Sequence, residues 1–178
     1  MSDSYDAMMG CAFEEDVRSE PIPKGKYRAV VAAIRLTDPV LEGWEARTPE
    51  DDMSPRVTVD FQITGTIEGL DTELKGRYLR RVRVDLRPGV NPKTGDAYRK
   101  VAADLLRAFH GLGPKGSVKG LVLFRAVDGF GDQEERVVEV NAQLAKYVDL
   151  ALGISVRNWT GEDGQVRDAL GGIIVPEA

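Results

Sequence analysis

Apolar and polar positions alternate most clearly over Arg56-Val57-Thr58-Val59-Asp60-Phe61-Gln62-Ile63-Thr64, where Val57, Val59, Phe61 and Ile63 fall on one side. Period two of this kind predicts a β-strand with one buried and one wet face. An earlier run, Tyr27 to Ile34, predicts a first strand, preceded by the break Pro21-Ile22-Pro23. Between the two lies a loop from Asp38 to Pro55, rich in acids and prolines, with Trp44 near its middle. A third strand is expected over Arg77 to Arg87, ended by Pro88-Gly89.

Then the period changes. From Tyr98 to His110, Val101, Leu105, Ala108 and Phe109 share one helical face, and Arg99, Lys100, Asp104 and Arg107 fall largely on the other. Gly111 and Gly113-Pro114 stop the helix. Two more strands are expected, Val118 to Val127 and Glu135 to Val140, joined by a tight loop with Phe130 at its tip. Ala142 to Leu152 reads as a short helix, and Gly171 to Val175 as an edge strand. The fold class is therefore mainly β within α+β: three strands, a helix and two strands, the order of a five-stranded OB-like barrel with its helix between strands 3 and 4. On this reading residues 1–22 form an acidic N-terminal tail, 23–152 the OB-like domain, and 153–178 a C-terminal extension.

Within the third strand, strict alternation puts Arg77, Arg81, Arg83 and Arg87 on one face, whose successive positions repeat every ~7 Å. Tyr78, Arg80, Val82, Val84 and Leu86 fall on the other. Charge sharpens the picture. The chain carries a net −5, yet Lys75 to Arg125 holds thirteen Lys or Arg against three Asp, a local +10 that leaves −15 elsewhere. Such polarisation suits a polyanion-facing surface, with acids elsewhere limiting indiscriminate binding.

Catalytic chemistry has little to work with. One histidine, His110, and one cysteine, Cys11, lie 99 positions apart, and that count excludes a Cys/His zinc site. No phosphate-cradling glycine loop occurs, since Gly111 to Gly116 follows a helix and has the wrong spacing. The expectation is a non-enzyme without cofactor or metal. A lone cysteine, the absence of a signal-peptide pattern and the absence of a bilayer-length apolar run place it in the cytoplasm, or that of a host cell, without a membrane partner.

Single-stranded nucleic acid is bound by cations that follow the backbone and rings on which bases stack. The cations here are Arg77, Arg81, Arg83 and Arg87, extended by Lys93, Arg99 and Lys100; the rings are Trp44, Tyr98 and Phe130. A blander reading pairs the arginine row with Asp60, Glu68 or Glu73 on a neighbouring strand, and makes Trp44 a hydrophobic plug. Tyr27, Tyr78, Phe61, Phe109 and Phe124 are assigned to the core.

Several short strings, in order, carry a family likeness: Pro23-Lys24-Gly25-Lys26-Tyr27, then Val57 to Ile63, then Lys75-Gly76-Arg77, then the helix with Ala102, Leu105, Leu106 and its Gly111 stop. Together they resemble phage-type single-stranded DNA-binding proteins of the OB-fold class, over roughly residues 22 to 141. The resemblance implies binding and protection of single-stranded DNA in replication or recombination, without strong sequence preference. Replication or recombination proteins and a homo-oligomer are the further partners it brings into view. Two departures stand out: the acidic tail is N-terminal, the chain ending Gly-Gly-Ile-Ile-Val-Pro-Glu-Ala, and the loop from Asp38 to Pro55 is longer than the pattern needs. The alternatives are a structural or assembly protein of a phage particle, and an acidic inhibitor or adaptor that imitates nucleic acid.

Overall fold

The computed structural model describes residues 20–67, 74–125 and 133–178. Its strands are β1 (Gly25–Thr37), β2 (Arg56–Thr66), β3 (Tyr78–Val84), β4 (Ala151–Thr160) and β5 (Val166–Ile174). Two helices, α1 (Lys100–Phe109) and α2 (Gln133–Leu144), lie between β3 and β4, and a 3-10 turn at Ala145–Tyr147 follows α2. The fold is mainly β, a five-stranded antiparallel sheet in the order β3-β2-β1-β4-β5.

β1 is central because both its flanks are paired, to β2 and to β4. Its buried side chains Tyr27, Ala29, Val31 and Ile34 join Val57, Val59, Phe61 and Ile63 of β2 and Leu152, Ile154 and Val156 of β4 in one core. Removing each large member of that set from water stabilises the fold by ~1.5–3 kcal/mol. Helix α2 lies against β1 and buries Val140 and Leu144. Asn141 fixes its height: its Oδ1 accepts the Leu36 amide at 2.7 Å and its Nδ2 donates to the Leu36 carbonyl at 3.1 Å.

Several sequence expectations change here. Val118 to Val127 is no strand over its described part; Gly120 sits at φ +80°, and Gln143 of α2 takes both backbone groups of Arg125 at 2.7 and 3.2 Å. Buried Tyr147 donates its hydroxyl to the Leu123 carbonyl at 2.8 Å, so this segment is held by side chains instead of a ladder. Glu135 to Val140 belongs to α2. Its valines favour strands intrinsically, but Val137, Val140 and Leu144 follow the helical period, and tertiary burial decides. Of Ala142 to Leu152, residues through Tyr147 are helical, whereas Ala151 and Leu152 already belong to β4. Among the described residues there are thus two helices between β3 and β4, not one.

The boundary drawn at 152/153 falls inside β4, whose pairing with β1 runs from Val30↔Ala151 to Gly25↔Val156. The Gly171 to Val175 edge strand is part of β5, which is longer and starts at Val166. The proposed tail boundary also moves. Ile22 is fully buried; its amide donates to Asp168 Oδ2 at 2.9 Å, and its carbonyl accepts from Asn158 Nδ2 at 2.9 Å. The Arg77 guanidinium bonds the Glu20 carbonyl, so residues 20–22 form a strap tied both to the residue that precedes β3 and to the β4–β5 hairpin. Asp104, expected on the wet face of α1, is buried and ion-paired to Arg107 at 2.7 Å.

A close approach explains one glycine of β4. A Cβ on Gly153 would stand 2.8 Å from Ile174 Cβ and 3.2 Å from Ile67 Cδ1. Gly153→Ala is expected to destabilise the fold by ~1–3 kcal/mol through overpacking, read as a lower urea midpoint at unchanged slope.

Candidate nucleic-acid interface

The arginine row predicted from alternation does not form. β3 ends at Val84, so Arg77 and Arg87 lie outside it, and Arg77 is half-buried and committed to the Glu20 carbonyl. Within the strand the pairing with β2 slips: Val59 faces Val82 and Phe61 faces Leu79, leaving Arg80 and Arg81 together opposite Asp60. This is a β-bulge, two residues against one. Arg81 takes φ +57°, and its amide donates to Asp60 Oδ1 at 2.7 Å. The phase of the strand therefore inverts. Leu79 is buried before the bulge and Val84 after it, while Tyr78, Arg80 and Arg83 are exposed.

Register shows which outward residues share a face. Arg35, Thr58 and Arg83 form one cross-strand row through β1, β2 and β3; Val30, Gln62 and Tyr78 form another. On β4, buried Leu152, Ile154 and Val156 alternate with outward Arg157 and Trp159, and Trp159 stands opposite Arg167 of β5. Lys26 and Arg28 add exposed cations on β1.

Three of these guanidinium groups rest on rings. Arg80 sits over Tyr78 at 4.6 Å from the ring centroid, Arg167 over Trp159 at 5.2 Å, and Arg87 over Tyr98 at 4.2 Å. Tyr78, assigned to the core by alternation, is 42% exposed, and Trp159 is 48% exposed. Tyr27 and Phe61 are fully buried, and Phe109 and Phe124 pack partly buried against the core. Between β3 and β5 runs a groove of about 720 Å³ lined by Tyr78, Arg80, Val166 and Arg167, with Glu20 and Asp168 contributing carboxylates. The two strands are not hydrogen-bonded to each other.

The remaining sequence candidates divide. Lys93 is exposed in the turn after Asn91, whose Oδ1 accepts the Lys93 amide at 2.9 Å. Arg99 donates through Nε to the Leu86 carbonyl at 2.7 Å, and Lys100 lies 3.8 Å from Asp96. Arg87 clasps Asp85, so Tyr98, Arg87, Arg99 and Lys100 gather where α1 begins. Trp44 is 64% exposed in its loop and plugs nothing. Phe130, Glu68, Glu73 and Cys11 lie outside the described residues. Tyr78, Arg80, Trp159 and Arg167 were missed by the sequence reading. For the last two a signal existed: alternation from Leu152 to Trp159 followed by the turn residues Gly161 to Gly164.

Asp52, in the acidic loop, meets Arg83 at 2.7 Å. Its carboxyl is held well below the ordinary range, first by the Ser54 hydroxyl and then by the Arg83 guanidinium and the Ser54 amide. Asp85 is lowered too, chiefly by Arg87. Among the described residues, no group of three His, Cys, Asp or Glu is placed to hold a metal, and no helix is long and apolar enough to cross a membrane. No protein-family model matches the chain, nor does any curated protein.

The lowered Asp52 and Asp85 carboxyls fix a sign. The folded state binds their protons less tightly than the unfolded chain, so the contacts contribute fully above ~4, the ordinary value, and fade as pH falls toward the lowered ones. In an NMR titration Ser54→Ala and Arg83→Ala should each move the Asp52 midpoint upward, Ser54→Ala further.

Proposed function

We propose that this protein binds and protects single-stranded DNA in replication or recombination, as phage-type OB-fold proteins do, without strong sequence preference. The observation that carries the reading is the two exposed guanidinium–ring pairs Arg80/Tyr78 and Arg167/Trp159 on a sheet whose outward side chains are rich in arginine, joined by a third pair, Arg87/Tyr98, where α1 begins. A cation on an exposed ring contributes ~0.5–1 kcal/mol. A stacked base contributes ~1–3 kcal/mol, so an incoming base displaces the guanidinium; Arg80 then turns to the adjoining phosphate, while Arg87 and Arg167 stay beside it on their Asp85 and Asp163 partners. Arg81, Arg83, Lys93, Arg99 and Lys100 extend the cationic track, Arg77 flanks it, and Trp44 offers a further ring.

The sheet order also supports an OB-like barrel. Joining β3 to β5 would close β3-β2-β1-β4-β5 into a five-stranded barrel, those two edges already approach one another, and both helices fall between β3 and β4. In that architecture the β3–β5 groove lies on the binding side, and the strap at residues 20–22 narrows the open seam.

Oligothymidine titrated at several salt concentrations tests the reading. Affinity is expected to fall by ~0.7 log units per phosphate contacted for each tenfold rise in salt. Trp159→Ala and Tyr78→Ala should each weaken binding by roughly five- to 150-fold, and bound DNA should quench tryptophan fluorescence. A flat salt response together with unchanged affinity in both variants sinks the proposal. A large closed oligomer that ignores the oligonucleotide would favour an assembly role.

A further inference from the structure

At the far end of β3 from Tyr78, a second hollow of about 420 Å³ lies between the acidic loop, β2 and the residues after β3. Three arginines line it: Arg56, Arg83 and Arg87. Arg87 is held in place by Asp85, which accepts from its Nε at 3.1 Å and its Nη2 at 2.6 Å. Arg56 donates one Nη2 hydrogen to the Asp52 carbonyl, and its buried Nε has no acceptor among the described residues. A buried donor left unmet is unfavourable, so a small shift of Arg56 toward an arriving oxygen would relieve it. Only Asp52 Oδ2 meets Arg83, and both partners of that pair are about half exposed, 51% and 46%. Exposed pairs of this kind are weak.

We propose that this notch is a phosphate-binding subsite, occupied in the free protein by the Asp52 carboxylate as an internal stand-in. Guanidinium forks match phosphate oxygens in geometry, and a phosphate brings more acceptor oxygens than the single carboxylate oxygen it displaces. Arg83 and Arg56 take the phosphate directly, and Arg87, oriented by Asp85, closes the third side. The acidic loop thereby sets a threshold: a ligand enters only by outcompeting Asp52. The inference rests on the single-strand reading solely for the origin of the phosphate, which would be the backbone of a strand already stacked along β3; a free phosphate has the same chemistry.

The test follows the arginine Nε–H resonances of the full chain, parent and Asp52→Asn, titrated separately with inorganic phosphate and with oligothymidine. Both probes are expected to shift Arg56 and Arg83 saturably, with Asp52→Asn binding inorganic phosphate about three- to fivefold more tightly, the effect of freeing one exposed ion pair. Arg83→Ala, at an exposed position, should abolish the phosphate response. If inorganic phosphate shifts these resonances while oligothymidine does not bind at all, the single-strand reading falls and the notch stands. If oligothymidine binds without disturbing them, free phosphate is the ligand. Absence of a saturable shift with inorganic phosphate in both proteins, or equal phosphate affinity in the two, overturns the subsite.

Discussion

The outer surface of this protein depends on one irregularity, the bulge that sets Arg80 and Arg81 against the single residue Asp60. β3 has to bury Leu79 at one end and Val84 at the other, five positions apart, and an unbroken strand would turn those two to opposite faces. One extra residue restores the phase. It places Arg81 at φ +57°, a conformation costing a non-glycine residue ~1–2 kcal/mol, and Asp60 offsets part of that cost by accepting the Arg81 amide. The consequence for the surface is local: without the bulge, the phase that buries Val84 would turn Tyr78 and Arg80 inward, so this guanidinium–ring pair faces solvent because of it.

This is also where the sequence was least legible. The alternation of β2 is uninterrupted over Val57, Val59, Phe61 and Ile63, and every one of them is buried as the pattern requires. Period two in β3 breaks between Leu79 and Val82, and nothing in the residue types says where; a run of arginines carries no hydrophobic marker of phase. The valines of α2 misled differently. Val137 and Val138 are adjacent and β-branched, but only the spacing to Val140 and Leu144 reports which face is covered, and Val138 stays exposed. In β4, Gly153 and Ser155 occupy the positions between apolar residues and weaken the contrast on which alternation is recognised, although a glycine at 153 is what the approach of Ile174 demands. The candidate site was legible as a charge imbalance and illegible as a geometry, because partners such as Trp159 and Arg167 come from a hairpin far along the chain.

An acidic chain with a cationic face must keep the two from neutralising each other. The described contacts show short-range order doing this: Arg87 is closed on Asp85 two residues away, Arg107 on Asp104 three away, Arg167 on Asp163 four away. Local pairs hold side chains in place while leaving the wider field of the face intact, since each removes as much negative as positive charge from the surface around it. Arg83 is different. Its partner, Asp52, stands 31 positions earlier, in the loop that joins β1 to β2.

That long-range pair gives the acidic loop a physical meaning that its composition alone lacks. A loop of 18 residues between two adjacent antiparallel strands is far longer than a hairpin needs, and it has no strand or helix of its own. Its first residue, Asp38, is buried and accepts from the Val40 amide and the Gln133 side chain, which ties that end to α2. Near the other end, Asp52 is tied to β3. A loop anchored near both ends by carboxylates has less freedom than its length allows, and between the anchors it carries the exposed acids Glu42, Glu45, Glu50 and Asp51. On the single-strand reading proposed above, those acids raise the electrostatic cost for a polyanion to reach the loop, so a strand would engage Trp44 and the notch only after seating at Tyr78 and Trp159. If the notch takes phosphate, the Arg83–Asp52 pair is both what the ligand displaces and what holds this end of the loop, so both effects follow from where one aspartate is pinned.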